Sequence, residues 1–388
     1  MMRDLPVEVL TEILSRLAVK WVVRLRATCK GWRSLIDSRQ FVQFHLSKSH
    51  RHGRLIIRQG SHLYSMELKS QSEEQELVEL SHPLMCYSNS IKVLGSCNGL
   101  LCISNVADDI ALWNPFLRKH RILPSDRFQR PQSSLFAARV YGFGHDGASN
   151  DYKLVSITYF VDLEKRSFDS QVQLYTLKSD SWISLPSMPY ALCCARTMGV
   201  LVSTSLHWLV TRQLQPDQPD LIIAFHLSLH SFRELPLPSS VLGHFPMQLS
   251  SLGPSLCLVE NRDSFFDIWV LKVYSLPHSW HKLFSFTPNL LSMGSRNLKS
   301  LRPLLLDRHS LLFEHNRTKL CWYDLSTGSL SYVKTPRIGH SIEATFCVGS
   351  LLPPDLLSLR HHDIETETRP SCSKKRDDFL SKGFKLTL

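Results

Sequence analysis

The spacing of hydrophobic and polar positions along this chain changes once, near residue 50, and the change divides it into two parts. At the start, apolar residues fall at Leu5, Val9, Leu10, Ile13, Leu14 and Leu17, with Glu8, Thr11, Glu12, Ser15 and Arg16 filling the gaps. That is helical spacing with one apolar side. Asp4 stands where a capping acid belongs, and Pro6 where a first turn tolerates proline. At about 100° per residue the six positions sweep roughly half the helix circumference, wider than a helix lying only on its own small domain needs. Val22, Leu25 and Cys29 form a second short stripe, Gly31 interrupts, and Trp32, Leu35, Ile36, Phe41, Phe44 and Leu46 supply further turns. The expectation is three or four short helices over residues 1–46. A core that small is marginal, so a partner covering the spare apolar face would add stability as well as binding.

A basic, polar join over residues 47–53 follows, and the period then shortens to that of strands. One unit recurs: a strand with an aromatic near its middle, a polar turn, and a second strand closing on Leu-Pro or a similar pair. Its aromatic markers are Tyr64, Trp113, Tyr175, Phe225, Trp269 and Tyr323, spaced by 49, 62, 50, 44 and 54 residues. Additional strand candidates precede the units at 99–103, 205–210, 256–259 and 310–314, and Phe346-Cys347-Val348 could pair the last unit with the first. Six units of four strands point to a six-bladed β-propeller over residues 54–354, whose blades cannot bury both faces without neighbours. An irregular β-sandwich is the rival architecture. The fold class expected is a small all-α module followed by a large all-β domain, with a polar tail over residues 355–388.

Two stretches carry a resemblance. Leu5-Pro6-x-Glu8-x-Leu10-x-x-Ile13-Leu14-x-Arg16-Leu17, then Arg24-Leu25-Arg26, then Cys29-Lys30-x-Trp32-Arg33-x-Leu35-Ile36, resemble an F-box. In that family the helices dock on a Skp-type adaptor and, through it, on a cullin. Carried over by position, the adaptor-facing residues are Leu5, Pro6, Leu10, Ile13, Leu14 and Leu17, with Leu25, Trp32 and Leu35 packing the module. Ala18 departs from the family's usual proline, and Trp21 from a usually smaller residue. Further on, Gly95-Ser96-Cys97-Asn98-Gly99-Leu100-Leu101-Cys102, Leu112-Trp113-Asn114-Pro115, Tyr141-Gly142-Phe143-Gly144-His145-Asp146 and Asp151-Tyr152-Lys153-Leu154-Val155 resemble the F-box-associated domain of plant F-box proteins. The nearest subgroup contains the constitutive expresser of pathogenesis-related genes. That resemblance implies negative regulation of defence, with intracellular immune receptors carrying leucine-rich repeats as targets.

Composition narrows the partners. Among 388 residues, 45 lysines and arginines exceed 34 aspartates and glutamates, giving a net charge of +11. The excess invites a nucleic-acid reading, yet the charges are scattered and no basic block is interleaved with stacking aromatics. Ten cysteines at irregular spacing, with no Cys-x-x-Cys pair, fit neither a disulfide framework nor a zinc site and suit a reducing compartment. No signal peptide precedes the first helix and no apolar run is long enough for a bilayer, so the expectation is cytoplasm, nucleus or both, with no membrane partner. Asn316-Arg317-Thr318 is a glycosylation sequon by pattern only.

Apparent catalytic motifs dissolve on inspection. Gly142-Phe143-Gly144-His145-Asp146-Gly147 has dinucleotide-binding spacing, but the strand-like 150–158 follows where a helix N-terminus would have to hold a pyrophosphate. Its glycines are expected to serve a hairpin turn. Cys193-Cys194 lies in an apolar setting that does not activate thiols. His361-His362-Asp363 and the basic Lys374-Lys375-Arg376 read as solvated tail, although Phe379-Leu380 and Phe384-Lys385-Leu386 could pack back on the propeller. Tryptophans 113, 182, 208, 269, 280 and 322 read as blade core. The function expected is a non-catalytic substrate-recognition subunit of a Skp-cullin-F-box ubiquitin ligase, with no cofactor and no metal. The stretches 127–132 and 212–220 are exposed candidates for target contact, and individual substrate-binding residues stay unassigned. The alternative is a propeller that only scaffolds protein interactions; an enzyme would need carboxylates or histidines converging on the central channel.

Overall fold

The structure, a computed structural model, describes residues 5–49, 53–68, 74–85, 90–125, 135–162, 167–192, 198–212, 220–241, 245–262, 265–276, 278–286, 300–307, 309–335 and 341–355. Asp4, residues 127–132, Cys193, Cys194 and the expected tail from 356 onward lie outside these residues.

Four helices come first: α1 (Val7–Ser15), α2 (Val19–Arg26), α3 (Lys30–Asp37) and α4 (Arg39–Lys48). Two expectations are corrected. Pro6 sits at the N-cap of α1, one place before the first turn, because its ψ of 143° is extended. Gly31 does not interrupt; it lies inside α3, whose start is fixed by Cys29, the sulfur of which accepts from the Trp32 N–H at 3.4 Å.

The strands form six sheets. Blade 1 contains β1 (Gly53–Gln59), β2 (His62–Met66) and β3 (Leu77–Leu80), and blade 2 contains β4 (Lys92–Cys97), β5 (Leu100–Ser104), β6 (Ile110–Asn114) and β7 (Lys119–Ile122). Blade 3 is β8 (Leu135–Asp146), β9 (Asp151–Asp162), β10 (Ser167–Thr176) and β11 (Ser181–Leu185). Blade 4 has a divided inner edge, β12 (Ala191–Leu192) and β13 (Val200–Val202), beside β14 (Ser205–Thr211), β15 (Leu221–His226) and β16 (Ser231–Leu235). Blade 5 is β17 (Met247–Leu252), β18 (Ser255–Asn261), β19 (Phe266–Leu271) and β20 (Trp280–Phe286). Blade 6 is β21 (Leu301–Asp307), β22 (Ser310–His315), β23 (Lys319–Asp324) and β24 (Leu330–Tyr332), and β25 (Ile342–Val348) returns to blade 1.

Strand β25 pairs antiparallel with β1 from Gly53 opposite Val348 to Gln59 opposite Ile342, so the end of the domain supplies the first sheet's inner strand. Ring closure of this kind leaves no open edge between last blade and first. All six aromatic markers fall on the third strand of their blades: β2, β6, β10, β15, β19 and β23.

Why the strands are apolar on both faces is seen in the cores. Each blade boundary has its own buried cluster, so alternate residues of one strand face opposite neighbours. On β22, Leu311 and Phe313 join the blade 5 core while Leu312 joins that of blade 1. Outer strands are tied across boundaries by tryptophan. The Trp182 indole N–H donates to the Pro124 carbonyl at 2.8 Å, and Trp280 repeats the contact on Pro236 at 3.0 Å. These two tryptophans are therefore half-buried staples, while Trp113, Trp208, Trp269 and Trp322 are buried in the blades as expected.

Gly142 and Gly144 correct another expectation. They lie within β8 and serve close packing on blade 4: a Cβ on Gly142 would stand 2.8 Å from Leu206 and Trp208, and one on Gly144 would stand 2.7 Å from Leu201. Only Gly147 belongs to the hairpin turn, and β9 follows directly, with no helix.

Nearby, the Lys153 ammonium is buried and donates to Asp146 Oδ2 and to the Leu227 carbonyl, each at 2.8 Å, and meets His230 Nε2 at 2.9 Å. Hydrogen bonds from Lys153, Ser149 and Ser228 hold the Asp146 carboxyl far below the usual carboxylate range, overcoming a burial that acts the other way. This knot fastens blade 3 to blade 4.

Candidate functional site

The helical module sits on the face where the third strands turn into the fourth, and its core is continuous with the cluster between blades 2 and 3. Leu14, Val19, Val22, Ile36, Phe41 and Val42 are buried together with Leu94, Leu112, Phe143 and Tyr175 of the propeller, and with Leu351 and Leu352 beyond β25. Burial on this scale answers how so few helical residues hold together: the propeller supplies the missing half of their core.

Helix α1 has no side-chain cap, and its first backbone bond is Leu10 N–H to the Pro6 carbonyl at 3.0 Å. It is held from the side instead. His45, buried on α4, donates from Nε2 to the Leu17 carbonyl at 2.9 Å, which fixes the end of α1. Glu12 receives Arg16 at 2.6 Å and Lys48 at 2.5 Å, and the Lys48 and Arg16 hydrogen bonds keep its carboxyl below the usual range.

With the helix so placed, its half-circumference of apolar side chains splits lengthwise. Leu14 is 1% exposed and faces the core, while Leu10 and Leu17 are half-buried against it. Leu14, expected to face an adaptor, is buried in the core that the module shares with the propeller. Leu5 at 58%, Val9 at 45% and Ile13 at 47% exposure form the opposite edge of the stripe, with Pro6 beside them. Val9 and Ile13, four residues apart, share one row along α1, and Leu5 lies just ahead of it, before the Pro6 N-cap. Val9 was legible in the stripe and absent from the expected contact set; Val7, Trp21 and Phe44 are further exposed apolar residues of the module outside that set.

Leu25, Trp32 and Leu35, expected to pack the module, are half-buried at the border of that core. Its sealed centre is Val19, Val22, Ile36, Phe41 and Val42 instead. The two departures also resolve. Ala18 caps α2 with φ −62° and ψ 146°, and that φ is the one a proline would impose. Trp21 lies on the surface beneath Lys20 and Arg24, whose charges stand 5.6 and 4.8 Å from its ring centre.

Two comparisons with known proteins bear on this arrangement. An F-box-like match covers residues 2–44, and the F-box associated beta propeller domain matches residues 54–348. The chain belongs to the F-box associated β-propeller family. F-box protein CPR1 of Arabidopsis thaliana is 32% identical to this F-box protein, with the whole of both chains covered. F-box protein At4g22390 is 30% identical, again over the whole of both, and F-box protein At3g07870 is 28% identical over 84% of this chain and 86% of its own, both from the same plant.

The other candidate regions of this F-box protein lie on the propeller. The central channel holds a cavity of about 210 Å³ lined by inner-strand residues such as Gly95, Gln248, Ser250 and Thr345. Its carboxylates are paired: Glu314 receives Arg302 at 2.7 Å, and Glu343 receives Arg58 at 3.0 Å. Among the described residues no group of three His, Cys, Asp or Glu side chains could hold a metal ion, and no helix is long and apolar enough to cross a membrane. Buried thiols are pushed up by desolvation, Cys321 and Cys347 to about 12. Of the expected contact stretch 212–220 only the ends are described, where Arg212 pairs with Asp220 at 3.8 Å.

Proposed function

We propose that this F-box protein is the substrate-recognition subunit of a Skp-cullin-F-box ubiquitin ligase. The observation that carries the reading is the exposed set Leu5, Val9 and Ile13, left uncovered although Leu14 is buried in the chain's own core and Leu10 and Leu17 are half-buried against it. A Skp-type adaptor would cover that set and link the module to a cullin. The propeller would hold a protein target, and ubiquitin transfer would be accelerated by proximity, with the catalytic groups on other subunits.

The finer reading rests on the resemblance described above. It makes the target an intracellular immune receptor with leucine-rich repeats and the outcome its proteasomal degradation in cytoplasm or nucleus.

The test is co-expression of the full chain with a Skp-type adaptor. A stoichiometric complex surviving size-exclusion chromatography is expected. A folded chain that elutes alone at all concentrations would favour a scaffold without a ligase. For the finer reading, receptor abundance is followed after the chain is overproduced, with and without proteasome inhibition. An unchanged receptor level in both conditions removes that target class.

A further inference from the structure

On the propeller face that carries the helical module, the turns between third and fourth strands differ in length. Four residues suffice in blades 2, 3 and 4 (115–118, 177–180 and 227–230), whereas eight, 272–279, join β19 to β20 in blade 5. The described residues of this long loop, all but Pro277, are closed on one another by hydrogen bonds. Lys272 N–H reaches the Ser279 carbonyl at 3.2 Å, Val273 N–H reaches Ser279 Oγ at 3.0 Å, and Ser279 N–H reaches the Leu276 carbonyl at 2.9 Å.

Tyr274 then pins the loop to blade 4. Because His207 Nδ1 lies 2.9 Å from the Val200 carbonyl and must donate there, its Nε2 accepts from the Tyr274 hydroxyl at 2.7 Å. The Arg233 guanidinium lies 5.0 Å from the centre of the same ring. With Tyr274 packed inward, Val273 and Leu276 are held outward at 44% and 59% exposure, and Leu229 on the neighbouring turn of blade 4 stands at 72%. Neither 227–230 nor 272–279 contains a carboxylate, and the exposed Lys272 and Arg233 give the rim a positive sign.

We propose that this ridge of Leu229, Val273 and Leu276 docks the protein target, through a segment whose large apolar side chains are flanked by aspartate and glutamate. The apolar tips lose their water on docking, and the basic rim favours acidic flanks over basic ones. A loop already fixed by its own bonds and by Tyr274 has little freedom left to lose on binding. The proposal deepens the substrate-recognition reading and rests on it.

The test is fluorescence anisotropy on the full chain with three labelled peptides of about twelve residues. One carries leucines among Asp and Glu, one the same leucines among Lys, and one serines among Asp and Glu. The acidic leucine peptide is expected to bind at least ~10-fold tighter than either control, and to weaken as salt rises. Leu276→Ser and Lys272→Glu should each weaken it by roughly 10-fold, and Val106→Ser, at an exposed apolar residue between β5 and β6, should not. Equal binding of the three peptides, no binding to a chain with native circular dichroism, or indifference to Leu276→Ser overturns the proposal. So does sedimentation showing a dimer that Leu276→Ser converts to monomer, which makes the ridge a contact between copies. Adaptor capture is read separately: a chain that captures the adaptor and fails here loses only the ridge, while one that binds the peptide and fails to capture the adaptor loses the ligase-subunit reading.

Discussion

The side-chain amide of Asn114 donates to the Ser350 carbonyl at 2.9 Å, joining the end of β6 to the chain just beyond the closing strand. Its second N–H reaches the Leu352 carbonyl, also at 2.9 Å, and its Oδ1 accepts the backbone N–H groups of Phe116 and Leu117. One buried side chain thus uses its full hydrogen-bonding capacity to tie blade 2, the ring closure and the floor under the helical module together. This is the physical content of the Leu112-Trp113-Asn114-Pro115 motif.

Asn114→Asp should therefore be far more damaging than its near-identical shape implies. The two carbonyls would face an acceptor, and a carboxylate would be buried without a cation, at a cost of about 3–5 kcal/mol. Urea unfolding followed by tryptophan fluorescence should show a lower midpoint for Asn114→Asp than for Asn114→Ala. An unchanged midpoint contradicts the role given to this residue.

Much of the fold was legible because a propeller repeats one physical requirement six times. The third strand of each blade is flanked by sheet on both sides, so a large aromatic is placed there, and Tyr64 through Tyr323 marked all six blades. What was illegible depends on which neighbour a face meets. A half-circumference stripe does not say which edge is covered, so Leu14 and Leu5 looked equivalent in the sequence, and the fold buries Leu14 while leaving Leu5 exposed. Gly142 and Gly144 were likewise ascribed to a turn because their reason, the approach of Leu206 and Leu201 from the next blade, lies about sixty residues away in the chain. Leu229 and Leu276 gave no periodic signal at all, since single apolar residues on turns carry none.

The knot at Lys153 makes a second expectation. Lys153→Met would leave the Asp146 carboxylate, which is 1% exposed, without its cation. The loss should be about 3–5 kcal/mol, and the double variant Lys153→Met, Asp146→Asn should recover part of it. A double-mutant cycle read by urea unfolding decides this. Strict additivity of the two substitutions contradicts the coupling.

His207 sets a dependence on pH. Burial lowers its pKa from 6.5 to about 4, with the hydrogen bond to the Val200 carbonyl acting weakly in the opposite direction. The folded chain thus binds this proton less readily than the unfolded one. Its contribution is fully present above pH 6.5 and is lost progressively as pH falls from there to about 4, at most about 3 kcal/mol. His82, His230 and His315 are lowered too, mainly by burial, and act in the same direction. The comparison that isolates His207 is the difference in unfolding free energy between pH 7.5 and 5 for the wild type and for His207→Phe. A smaller pH dependence in the variant is expected; an equal one contradicts the assignment.

The central claim concerns the row on α1, and two neighbouring residues separate its predictions. Ile13 is 47% exposed and Leu14 is 1% exposed, so a substitution at Leu14 tests folding and one at Ile13 tests docking. The direct measurement is titration calorimetry of the full chain, wild type and Ile13→Asp, with a Skp-type adaptor, alongside circular dichroism of both chains. The expected result is unchanged folding with affinity reduced by at least ~100-fold, because the new carboxylate would have to be buried unpaired in the complex. Equal affinities for the two folded chains would contradict the account.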